Sequence, residues 1–154
     1  MRLHWIEPDH GTIVAVPAEE LGRFDEASRR SAESDSIGEW AVELVLGPSR
    51  GLVFGEPFRT ALLESPAGTI FVQGIAVDDE STLVEAVTSP SSDWRPLSVE
   101  LECDGRDWWF GSSNENSADA GQIFRPSPGP RQLEFRRVNL DGTRALAFRL
   151  ANRP

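Results

Sequence analysis

Apolar residues in this chain come in short runs, each broken by glycine, proline or acids. The densest region is 44–63, with runs at 44–46, 52–54 and 61–63. Gly47-Pro48 and Gly51 interrupt the first gap, and Gly55-Glu56-Pro57 the second. Short runs bounded in this way predict strands joined by tight turns. As the most apolar part of the chain, 44–63 is expected in the middle of a sheet. Pro57 has no N–H to give a ladder, so the chain must turn or lie at an edge there. Glu56 is then expected at a strand end, in a structural hydrogen bond to the turn rather than free in solvent.

The same reading gives strands at 3–6, 12–16, 40–46, 69–76, 97–103 and 108–110. Residues 12–16 are largely β-branched and predict a buried strand. In 97–103, Leu97, Val99, Leu101 and Cys103 face one side, and Ser98, Glu100 and Glu102 the other. Asp104-Gly105 predicts a hairpin turn from there to Trp108. Residues 111–121 read as a polar loop, and the three prolines of 125–130 exclude a central strand. The clearest hairpin is 132–140 with 143–150 about Asp141-Gly142, a type I′ signal. Its register pairs Leu133 with Leu150 and Phe135 with Phe148 on a buried face, and Glu134 with Arg149 on the other. Arg137 falls on the apolar face; a bulge or a place at the sheet rim would accommodate it.

Two segments have helical character. Pro17-Ala18-Glu19-Glu20-Leu21 opens a short helix, with proline and acids where the first turn favours them. Residues 78–87 start with acids and set Leu83, Val84 and Val87 on one face. Residues 25–38 have few apolar anchors and are expected to be a mobile or partly helical connection. The sum is a single α+β domain over 1–154, predominantly antiparallel β, with nine or ten short strands and one or two short helices.

Composition narrows the chemistry. A chain of 154 residues can bury a core without staples. One cysteine, Cys103, excludes an internal disulfide and a multi-cysteine zinc site. No run reaches membrane-spanning length. The first residues carry an acid and a proline where a signal peptide needs an unbroken apolar segment, so the cytoplasm is expected. A net charge of −10 argues against nucleic acid and suits a basic partner. All fifteen cations are arginine, which removes lysine nucleophiles and the P-loop lysine.

Catalytic patterns are sparse. His4 and His10 lie close in sequence, but no HExxH and no cysteine cluster accompanies them, so no metal is expected. No serine lies in Gly-x-Ser-x-Gly. Glu100 and Glu102 share a strand face about 6–7 Å apart, a spacing that a carboxylate-based hydrolase could use and that any solvated sheet face also shows. Trp108 and Trp109 point to opposite faces. Either both faces of that strand are covered, for instance by the 111–121 loop, or one tryptophan is exposed for a partner or a sugar. Glu33, Asp35, Glu39, Glu43, Asp78, Asp79 and Glu80 are candidates for a negative recognition surface.

The order and spacing of several motifs resemble the immunity protein 21 family of bacterial polymorphic-toxin systems. They are Trp5-Ile6 and a strand ending Val16-Pro17; Gly51-Leu52-Val53-Phe54-Gly55-Glu56-Pro57 with Thr60 after it; Phe71-Val72 to Ala76, an acidic turn and the helix with Leu83; Trp94 before a proline and a Glu-bearing strand; Gly105 to Ser112; and a last strand ending Arg149-Leu150. The chain departs from the family by having a single acid between Gly55 and Pro57, and by a poor match over 25–38. The resemblance implies a mostly β, non-enzymatic, cofactor-free inhibitor of a cognate toxin, with no catalytic residues. Its acidity suits a basic toxin such as a nuclease. The candidate contact residues are Glu56, Arg59, Glu100, Glu102, Trp108 and Trp109. Two rival readings are a small-molecule or glycan-binding β module built on Trp108 or Trp109, and the carboxylate hydrolase.

Overall fold

The computed structural model describes residues 3–9, 11–66, 68–115 and 117–153. Among them eleven strands form two antiparallel sheets. Sheet A contains β1 (Trp5–Ile6), β5 (Thr60–Ser65), β6 (Gly68–Val77), β11 (Thr143–Asn152), β10 (Gly129–Leu140) and β7 (Arg95–Cys103), in that order. Sheet B contains β3 (Ala41–Leu46), β4 (Ser49–Phe54), β2 (Ile13–Pro17), β8 (Trp108–Ser112) and β9 (Gln122–Phe124). Two α-helices, α1 (Glu26–Asp35) and α2 (Glu80–Thr88), and two 3-10 turns, Ala18–Arg23 and Ala118–Ala120, complete the described elements. The α+β, mainly antiparallel class is thus established, with the three-residue β9 beyond the expected number of strands.

The sheets face each other across an aromatic core. Phe54 of sheet B meets Phe71 and Phe148 of sheet A, with ring centroids 5.1 and 5.0 Å apart, and Phe71 meets Phe110 at 5.5 Å. Each sheet is also covered on its outer side. Leu83 and Val87 of α2 close over Ile70, Val72, Ala145 and Ala147 of sheet A. Phe24 and Ala32 lie with Val14, Val16, Leu44, Val53 and Trp109 on the outer face of sheet B. This double cover explains why β2 is apolar and buried at every position instead of alternating.

The 132–140/143–150 hairpin has the expected register: Leu133 opposite Leu150, Glu134 opposite Arg149, Phe135 opposite Phe148. Its turn is not type I′, however. That type needs positive φ at both central residues, and only Gly142 has it (φ 74°). Helix α2 forms where expected, with Asp79 as its N-cap.

Three further expectations are corrected. Residues 44–63 do not lie in the middle of one sheet: β3 is an edge of sheet B, and the chain leaves β4 to enter sheet A at β5. The Gly55–Arg59 link makes that crossing, because Gly55 passes so close to the Glu39 carbonyl that a Cβ would come within 1.9 Å of it. Asp104-Gly105 likewise carries the chain between sheets, from β7 to β8, and closes no hairpin. Of the two readings of 25–38 the partly helical one holds: residues 26–35 are a helix, Asp25 caps it by accepting from the Ser28 N–H at 2.9 Å, and one small buried residue, Ala32, suffices to seat it. The proline segment does enter a paired strand, with Pro130 opposite Glu102, but only in the first two residues of β10, where a missing N–H is tolerated.

Candidate functional site

Trp108 and Trp109 are 2% and 0% exposed. Trp108 points into the inter-sheet core and Trp109 into the helical cover, so neither offers a surface to a partner or a sugar. The cover over Trp109 comes from α1 and the 18–24 segment, and the 111–121 loop adds to it: a Cβ at Gly111 or Gly121 would lie within 2.6 Å of the indole.

Glu100 and Glu102 are exposed on the outer side of β7, and both are held by the Arg153 guanidinium, Glu100 at 2.9 Å. They share a cation on an open surface instead of converging on a cleft. Arg59 lies over the Trp5 ring at 4.5 Å, and its carbonyl accepts from Gly74 N at 3.0 Å. The structural bond at Glu56 comes from its backbone: the carbonyl accepts from Gln73 Nε2 at 3.2 Å, leaving the carboxylate to line a groove. The structure therefore does not bring the six sequence candidates together in one place.

Two other surface features bear on function. The first is a groove of about 390 Å³ at the rim of the sandwich. Strands β6, β10 and β11 run for ten to twelve residues, whereas the strands of sheet B have three to six, so sheet A overhangs. The overhang is the groove floor, with Arg137 and Asn139 from β10, Arg144 and Leu146 from β11, and Ile75 from β6. Trp40, Glu56 and Phe58 form the wall. Ile75 is the extra residue of a bulge, since β11 pairs Arg144 with Ala76 and Ala145 with Gly74. The Arg137 guanidinium lies 5.1 Å from the centre of the Trp40 ring. Trp40 in turn stacks on Phe135 at 4.9 Å, which fixes the indole. Arg137 thus sits at the rim, as its off-pattern position suggested. That misplaced cation was the one signal for this groove; Trp40, Phe58, Ile75 and Arg144 gave none.

The second feature is a trough where β3, an edge of sheet B, runs beside β7, an edge of sheet A. Its centre is Pro96, Leu97 and Ser98, and Glu39, Glu43 and Glu100 line it. Glu43 pairs with Arg50 at 2.8 Å. With Glu102 beside Glu100, four carboxylates here meet two guanidiniums, Arg50 and Arg153, leaving a negative excess.

One carboxylate pair far apart in the chain does come together, without any local pattern to announce it. Glu115 and Asp9 share a hydrogen bond, which with the Asp9 charge raises the Glu115 pKa. Both are exposed. Cys103 is buried, and burial pushes its thiol up to about 11, so it is no nucleophile at neutral pH. His4 is exposed, and His10 lies outside the described residues. Among the described residues no cluster of three or more metal-ligating side chains forms, and no helix is long and apolar enough to cross a membrane. Comparison with protein-family models, curated proteins and solved structures found no match to this chain.

Proposed function

We propose that this protein is a non-enzymatic, immunity-type inhibitor that holds a basic cognate toxin against the β3–β7 trough. The observation that carries this reading is the trough itself. It has an apolar centre, Pro96 and Leu97, and an acidic border, Glu39, Glu43 and Glu100, on a chain of net charge −10. An apolar core within a polar rim is the usual anatomy of a protein interface. Excess negative charge steers a basic partner to it and raises the association rate. The motif order, which resembles that of the immunity protein 21 family, supports the same reading. The two edge strands also give the trough a fixed shape, so a partner docks without ordering a loop.

Co-expression with the toxin encoded beside this gene tests the proposal. The wild type protects the cells, and purified protein binds the toxin with an association rate that falls steeply as salt rises. Replacing Glu39, Glu43 and Glu100 together by arginine slows association at least ~10-fold and flattens the salt dependence. No protection, or association indifferent to those three charges, sinks the reading.

A further inference from the structure

We infer that the rim groove is a binding site for a small organic anion with a flat apolar body, of the aromatic carboxylate class. This site is separate from the β3–β7 trough and does not depend on the trough's role. Its chemistry runs against the rest of the molecule. On a chain of net charge −10, the groove concentrates two guanidiniums, Arg137 and Arg144. Neither forms an ion pair among the described residues, whereas nine carboxylates elsewhere are matched with arginines. Their spacing follows from the strand register. Asn139 stands opposite Arg144, and Arg137 is two residues from Asn139 on the same face. The two arginines are therefore diagonal neighbours across one strand pair, about 7–8 Å apart at their bases. Long side chains from such positions converge on a single carboxylate, for which the guanidinium fork is the best match.

The rest of the groove suits a planar body. Trp40, stacked on Phe135 and with Arg137 over its ring, adds an indole edge to the apolar lining from Phe58, Ile75 and Leu146. The bulge that extrudes Ile75 gives it 40% exposure on a strand whose preceding six residues are buried. A volume of about 390 Å³ lies within the range of small-ligand sites. Glu56 lines the same groove with the opposite charge, which orients the ligand: the carboxylate lies toward Arg137 and Arg144, and the ring toward the Trp40 wall.

Titration calorimetry with 1-naphthoate, and with the neutral 1-naphthamide as its partner probe, tests the site on the intact chain. The expected result is saturable one-to-one binding of naphthoate, with the amide at least ~10-fold weaker. Arg137→Gln and Arg144→Gln each weaken naphthoate about 10-fold. Glu56→Gln strengthens it a few-fold, roughly, by removing a like charge. Arg125→Gln, at an exposed arginine paired with Asp107 away from the groove, leaves it unchanged. Near-ultraviolet circular dichroism confirms that each variant is folded. The inference is overturned by folded wild type that shows no saturable heat at millimolar naphthoate. It is equally overturned if naphthoate and naphthamide bind alike, or if the Arg137→Gln, Arg144→Gln double variant binds as the wild type does.

Discussion

Gly55 occupies less space than any other residue could at its position. Its N–H donates to the Trp40 carbonyl at 3.0 Å, and the Glu39 and Ser36 carbonyls fill the volume where a side chain would begin. Gly55→Ala is therefore expected to destabilise by about 1–3 kcal/mol, since rigid backbone must move to admit one methyl. Gly22→Ala, at a site with nothing within 4 Å of the added carbon, is the matched control and should change stability little. Urea unfolding of the two variants measures the difference; equal midpoints would show that the link is looser than its contacts indicate. The glycine and proline around residues 55–57 announced a break in the chain, and the break is real. What local sequence did not carry was its direction. A turn within a sheet and a crossing between sheets use the same residues, and only the distant Glu39 carbonyl distinguishes them. The tryptophan pair shows the same limit. Alternation required Trp108 and Trp109 to face opposite ways, but much of the cover over Trp109 is made by residues 18–32, far earlier in the chain.

At the level of elements, the hairpin β10–β11 and helix α2 were readable because turn chemistry, alternation and capping residues agree within a few positions. Helix α1 was harder to see, for its apolar face is a single alanine and its signal lies in the cap. Both helices begin at an aspartate. Asp79 accepts from the Thr82 N–H at 3.2 Å and from the Thr82 hydroxyl at 2.8 Å. The side-chain bond chiefly, then the backbone bond, lowers the Asp79 pKa below its ordinary value. A carboxyl with a depressed folded pKa adds stability that is fully present above its unfolded pKa, and is lost as pH falls through the folded one. Asp79→Ala should thus lower the melting temperature at pH 7, with the gap to wild type closing in acid. A gap that stayed constant from pH 7 down to the acid limit of folding would mean that the ionised cap contributes nothing. The rim groove was the least legible element-level feature. It arises from unequal strand lengths and one bulge, and neither leaves a local signature beyond the stray Arg137.

The whole molecule is a sandwich with a helical layer on each outer side, and those layers are not equally anchored. Helix α2 inserts Leu83 and Val87, both buried, while α1 inserts Ala32. Native-state hydrogen exchange should accordingly show α1 opening well before β2 and β11, with α2 between them. Protection of α1 equal to that of β2 would contradict this ranking. The central place of β2 in sheet B has a further consequence, in time rather than space. One neighbour, β4, follows it by about forty residues, but the other, β8, pairs Ile13 with Ser112, roughly a hundred residues onward. On the ribosome, β2 emerges roughly a hundred residues before β8 and waits that long for its second edge to be satisfied. Until then a strand with no exposed position presents open backbone and apolar side chains to the cell. Such long-range closure makes folding slow for a chain of this size. A nascent chain halted near residue 100 would therefore be the most aggregation-prone and chaperone-dependent stage in the life of this protein.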